Sequence, residues 1–280
     1  MKLKWNLRPL ILATTLMATW LCAPASAAGI ENLHSRNGQQ LGITLSHYKY
    51  EEPDFMSLEA LKLGVDYSST LMLDSAWFMR LDGRYATGDA DYESAGTGTS
   101  DNIPDWYAEI RALFGKDIEL ANSVLAPYSG FGYRYLFNDL RGDSSTGSIG
   151  YRRESQYFYL PLGAIHRMAL NDTAKLETTL ELDYLLQGKQ SSHFEDLAGH
   201  GNFTYGQEIK NKQDQGYGIR ISSQYQQGSW GVGPYLMYWN IEDSDQVDSI
   251  IADDQYYYSI SGMEPANNTL EVGLKGSYLF

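Results

Sequence analysis

Apolar side chains recur at every second residue in ten separate stretches of this chain, and beyond residue 27 no apolar run approaches the ~20 residues that a membrane-spanning helix needs. A period of two puts neighbouring side chains on opposite faces of a strand. In order, the apolar faces are Leu41, Ile43, Leu45; Leu61, Leu63, Val65, Tyr67; Trp77, Met79, Leu81, Tyr85; Trp106, Ala108, Ile110, Ala112, Phe114; and Leu125, Pro127, Phe131, Tyr133, Tyr135. They continue with Phe158, Leu160, Leu162, Ala164; Thr178, Leu180, Leu182, Tyr184, Leu186; Tyr217, Ile219, Ile221, Tyr225; Val232, Pro234, Leu236, Tyr238; and Leu270, Val272, Leu274, Gly276, Tyr278, Phe280. Each stretch is about ten residues long, the length at which a tilted strand crosses a bilayer.

The opposite faces carry Lys62, Asp66, Arg80, Asp82, Arg84, Glu109, Arg111, Tyr128, Arg134, Glu181, Asp183, Arg220, Glu271 and Lys275. Alternation alone fits two folds: a soluble sandwich with charges outside, or a membrane barrel with charges in its lumen. The connectors separate them. Short ones near residues 69–75, 115–123, 168–174 and 226–229 alternate with long ones near 86–104, 138–154, 187–213 and 241–268. A barrel has turns at one end and loops at the other, whereas a sandwich has no reason for that rhythm. The expected fold is all-β: a transmembrane, antiparallel, up-and-down β-barrel of about ten strands, with short periplasmic turns and long extracellular loops. The count becomes twelve if a late loop holds its own hairpin, for which "QYYYSIS" is the candidate. Many of the 22 tyrosines stand at strand ends (Tyr48, Tyr50, Tyr67, Tyr85, Tyr135, Tyr184, Tyr225), where an amphipathic ring suits the lipid headgroup level.

Lys2, Lys4 and Arg8 precede an apolar run from Leu10 to Leu21, and Ala25, Ser26 and Ala27 follow. This pattern predicts a signal peptide over 1–27 and an exported barrel domain over 28–280. The single cysteine, Cys22, falls within that leader, so the exported chain has no disulfide, thiol nucleophile or cysteine metal site. With three of the 21 basic residues in the leader, 18 remain against 35 acidic ones, a net charge of −17. That balance argues against nucleic acid as a partner, and no sequence feature calls for a cofactor.

The final stretch, "NNTLEVGLKGSYLF", must pair with the first strand to close a cylinder, because an open edge in lipid leaves backbone groups unsatisfied. Its alternation ending in Phe280 resembles the C-terminal signature of Gram-negative outer-membrane barrels. The resemblance implies location in the cell outer membrane, contact with its lipid and lipopolysaccharide, and capture of Tyr278 and Phe280 by that membrane's assembly machinery. The size class resembles the omptin proteases and the ten-stranded adhesins. Omptins set an Asp pair against an Asp-His pair. Here Asp89 and Asp91 in "TGDADYES" match the first pair, while "SSHFEDLAGHG" offers His193, Asp196 and His200 without Asp-x-His. His166, near the turn end of its strand, reads as an interior residue rather than a catalyst.

Seven basic and six acidic side chains on the inward faces nearly balance, with Arg80, Arg84, Glu109, Arg111, Arg134, Glu181, Asp183, Arg220, Glu271 and Lys275 as the principal charges. They are expected to pair and largely fill the lumen. Excess negative charge is expected at the loops: Glu51, Glu52 and Asp54 in the first, and Glu242, Asp243, Asp245, Asp248, Asp253, Asp254 and Glu264 in the last. Such a rim suits a divalent cation or a cationic ligand. The sequence thus points to a barrel, not obviously an enzyme, that binds through its acidic loops or serves as a structural membrane component. A small solute pore is the alternative, and an omptin-like protease stands behind it.

Overall fold

A computed structural model describes residues 30–74 and 76–280; the signal peptide expected over 1–27 lies outside the described residues. Fifteen strands follow in order: β1 (Gly38–Glu52), β2 (Met56–Met72), β3 (Trp77–Ser94), β4 (Gly98–Lys116), β5 (Ile118–Glu119), β6 (Ser123–Asp143), β7 (Ile149–Ala169), β8 (Ala174–Ser192), β9 (Phe203–Gly206), β10 (Ile209–Gln213), β11 (Gly216–Gln227), β12 (Trp230–Ile241), β13 (Val247–Asp253), β14 (Tyr257–Gly262) and β15 (Asn267–Leu279). Short 3-10 turns cover Ile30–Leu33 and Phe194–Leu197.

Ten of these strands form a closed antiparallel ring, β1-β2-β3-β4-β6-β7-β8-β11-β12-β15 and back to β1. The closing ladder runs from Gln40 opposite Leu279 to Glu51 opposite Asn268. Phe280 extends it by exchanging two backbone hydrogen bonds with Gln39, at 2.9 and 3.0 Å. Tyr278 and Phe280 both point outward, and Tyr278 packs against Trp230 with ring centroids 4.9 Å apart.

The direction of the pleat is unambiguous: on β2, Leu61 is 66 % exposed and its neighbour Lys62 is 0 % exposed. The same inversion holds around the ring, with Ile43, Leu63, Leu162, Leu180 and Leu274 outside and Asp82, Glu109, Arg134, Asp183 and Glu271 inside. A soluble sandwich would have the opposite arrangement. An exposed aliphatic belt with buried charges is the arrangement of a barrel solvated by lipid.

Strands β6 and β7 have 21 residues each. At ~3.3 Å per residue such a strand is about 70 Å long, well beyond what the ~30 Å hydrocarbon core uses even when tilted. The expected loops at 86–104 and 138–154 are therefore mostly strand, turning only at residues 95–97 and 144–148. Strand β13 pairs with β14 and β9 in a separate three-stranded sheet. "QYYYSIS" does lie in a hairpin, but one outside the wall, so the barrel count is ten.

Tyr48 and Tyr50 are corrected by the fold. They are 0 % and 5 % exposed, inside the barrel, because the lipid-facing residues of β1 are odd-numbered. Tyr67, Tyr85 and Tyr184 do face outward. His166 shares the outer face of β7 with Phe158 and Leu162 rather than the interior. Two glycines of "PYSGFGYRYLF" and its neighbour strand make room for interior rings. A Cβ on Gly132 would stand 2.1 Å from Cζ of Tyr159, and one on Gly163 2.5 Å from Cζ of Tyr128.

Candidate functional site

From the turn end upward, the lumen is lined in layers, with cavities of about 100 and 140 Å³ left among the side chains at the turn end and in the charged middle. Leu33, Val124 and Ala169 cluster at the turn end, where the 30–37 segment is tied in by Ser35, whose backbone N–H and hydroxyl donate to Asp117 at 2.6 and 2.9 Å. Above them Phe78, Leu113, Tyr128 and Ile165 form a second apolar layer.

The middle of the lumen is an ion-pair network. Glu271 of β15 accepts hydrogen bonds from Arg84 (2.7 Å), Tyr107 (2.7 Å), Tyr235 (2.7 Å) and Ser46 (2.8 Å). Asp66 lies 3.3 Å from Arg84 and 3.1 Å from Lys275. Arg220 of β11 pairs with Glu109, with Asp183 at 2.6 Å and with Glu181 at 3.1 Å. Arg111 spans Asp82 and Glu181, each at 2.6 Å, and Arg80 holds the other oxygen of Asp82 at 2.7 Å. Arg134, 1 % exposed, places its guanidinium 4.2 Å from the centroid of Tyr107. Lys62 pairs with Asp105 and lies 4.1 Å from the Tyr48 ring centroid.

The apolar alternation of β4 starts at Trp106 and gives no sign of Asp105; carrying it back one residue turns Asp105 inward, opposite Asn138 on β6. Towards the loop end the lumen becomes aromatic, closed by Tyr48, Tyr107, Tyr157, Tyr159 and Trp239 with Leu58 and Leu185. Tyr159 and Trp239 meet edge to face at 5.0 Å.

Above that layer the loop-end strands enclose a vestibule of about 520 Å³. Its walls include Phe55, Met56, Tyr92, Leu140, Tyr151 and Phe194. Glu52, Arg153 and Glu264 form a buried polar group in its lining. Nη2 of Arg153 donates to Glu52 at 2.5 Å and also to Glu264, while the Tyr50 hydroxyl donates to Glu52 at 3.0 Å. Burial pushes the Glu264 carboxyl, which lies in the connector between β14 and β15, up to about 7; Arg153 opposes the shift and the Glu52 charge adds to it. The sequence places both acids on an open acidic rim, and the fold corrects this. Glu52 turns inward because it follows the even-numbered pleat of Tyr48 and Tyr50, and Glu264 folds in to the same guanidinium.

The remaining candidates do not converge. Asp89 and Asp91 point outward from β3. His193 contacts Glu195 (2.6 Å) and Glu154 (3.2 Å), Asp196 is held by Arg152 through two 2.7 Å bonds, and His200 is exposed. Strands β4 and β6 stand between β3 and β7 in the ring. Asp253 caps its own turn by accepting from Gln255 and Tyr256 N–H at 2.8 and 2.7 Å. Asp243, Asp245, Asp248 and Asp254 join no cluster, since among the described residues no three His, Cys, Asp or Glu side chains gather to hold a metal ion.

Fold and interior together define a ten-stranded transmembrane barrel of the outer-membrane class. Among solved structures the chain is similar to the outer membrane protease OmpT of Escherichia coli, with 10 % identity, a TM-score of 0.53 and coverage of 87 % of this chain and 97 % of that one. It is also similar to the beta domain of the Bordetella autotransporter BrkA, with 12 % identity, a TM-score of 0.41 and coverage of 88 % and 100 %. A third is the COG4313 outer membrane channel of Pseudomonas putida F1, with 10 % identity, a TM-score of 0.39 and coverage of 89 % and 98 %. No protein-family model and no curated protein matches the sequence.

Proposed function

We propose that this chain is a non-enzymatic binding protein of the Gram-negative outer membrane that works from its loop end, with the lumen serving as a rigid, closed support. One observation carries the reading. An aromatic layer and an ion-pair network that leaves a cavity of only about 140 Å³ lie beneath a vestibule of about 520 Å³, a size typical of small-ligand sites. Buried charges in such a network fix one geometry rather than add much stability, which suits a platform for loops. The belt would contact lipid and lipopolysaccharide, and the outward Tyr278 and Phe280 would be the surface offered to the assembly machinery. The likeness to a protease is one of fold alone, and the outward Asp89 and Asp91 give it no chemical support.

The test is planar-bilayer conductance of purified protein. A closed platform gives no steady single-channel steps, whereas regular steps would make the solute-pore alternative the better account.

A further inference from the structure

The vestibule combines two features that are seldom explained by packing alone. Its walls are largely apolar and aromatic, yet its lining contains two buried carboxylates that share a single guanidinium nitrogen. Asp54, at the β1–β2 turn, adds an exposed acid to the lining, outside the reach of that arginine's ion pairs. The hydrogen bonds from Arg153 and Tyr50 end on Oε1 of Glu52 and Oε1 of Glu264. Neither Oε2 atom accepts one of these bonds, which leaves both with capacity to accept from a ligand. Buried charge left without a full complement of partners is costly, and a second cation beside the pair would relieve it. Tyr92 and Tyr151 add ring faces that attract a cation once water is displaced.

We infer that the vestibule takes an amphipathic organic cation: a primary amine carried on an apolar body. The ammonium group would donate to Glu52 and Glu264, and the body would lie against Phe55, Met56, Leu140 and Phe194. An anion would meet the same carboxylates with repulsion. A small hydrated metal ion would leave the apolar walls unused. This rests on the reading of the loop end as a binding site and adds the class of ligand.

The probe is dansylcadaverine, an alkylamine with an aromatic body, titrated by fluorescence against the full barrel in nanodiscs of zwitterionic lipid at mildly alkaline pH. Two companions share its fluorophore: the N-acetylated form, which is neutral, and dansylglycine, which is an anion. The expected result is saturable binding of the amine at least roughly tenfold tighter than the acetylated form, as a charged hydrogen bond supplies. Dansylglycine should bind weakest. Glu264→Gln should remove that preference while leaving the acetylated form unchanged, and Ser148→Trp, which fills the cavity, should weaken both. The preference in the unaltered protein needs no variant to fold, and Glu52→Gln gives a second one. Equal binding of amine and acetylated form, or tighter binding of dansylglycine, overturns the cation assignment and leaves a vestibule that binds something else. No saturable binding of any of the three overturns the assignment and the vestibule together. Conductance steps would separately overturn the closed platform.

Discussion

Replacing Arg220 by Met should destabilise the barrel far more than loss of an exposed ion pair does, and the network predicts by how much. Arg220 contacts Glu109, Asp183 and Glu181 in the lumen wall, and it also donates to the Tyr159 hydroxyl at 3.0 Å. Glu181 keeps Arg111 after the change, but Glu109 and Asp183 lose their ion-pair partner. Leaving a buried ion without its partner costs about 3–5 kcal/mol. The control is Arg141→Met. Its ion pair with Asp139 is as short, 2.6 Å, but the Arg141 side chain is 54 % exposed, and exposed pairs contribute about 0–1 kcal/mol. Reversible urea unfolding of refolded protein in lipid, followed by tryptophan fluorescence, compares the two. The reasoning fails if Arg220→Met shifts stability no more than Arg141→Met. A combined Arg220→Met, Glu109→Gln, Asp183→Asn variant should recover part of the loss, because the stranded charges leave with the cation.

Gly132→Ala should displace the Tyr159 ring and disturb its bond to Glu109, costing roughly 1–3 kcal/mol as overpacking does; the same urea titration reads it. The Glu264 carboxyl sits at about 7 in the folded protein against an ordinary 4.5, so between those values the folded state holds more protons than the unfolded one. Stability at the loop end is then greatest at acid pH and falls as pH rises towards neutrality. Limited proteolysis of the β13–β14 hairpin should quicken over that window, and Glu264→Gln should flatten the dependence. On the outer belt, Leu61→Arg should cost about 2–4 kcal/mol at mid-membrane depth in the same unfolding assay.

How much of this was legible in the sequence depended on range. Period two is a local signal, so Leu61 against Lys62 set the faces of β2 without any knowledge of its neighbours. The same parity continued along β1 turns Tyr48, Tyr50 and Glu52 inward, whereas tyrosine at a strand end suggests the lipid interface by residue type alone. Strand length was harder to see. Polar outward residues above the membrane, such as Asp89 and Asp91, break the apolar alternation while the backbone ladder continues. Partnership was the least visible. Glu52 and Glu264 lie 101 and 111 residues from Arg153, and only the shear and closure of the ring decide that they meet.

The most direct test of the central claim is a nitroxide scan of β1 at Leu41, Gly42, Ile43, Thr44, Leu45 and Ser46 in lipid. Each site becomes a cysteine in a chain whose single natural one, Cys22, is replaced by serine, and collision rates with oxygen and with a water-soluble nickel chelate are compared. Labels at 41, 43 and 45 should collide with oxygen, and those at 44 and 46 should be shielded from both agents. Nickel access to 41, 43 and 45 would place the aliphatic face in water and contradict the membrane barrel. Nickel access to 44 and 46 would show an open, water-filled lumen and contradict the closed platform.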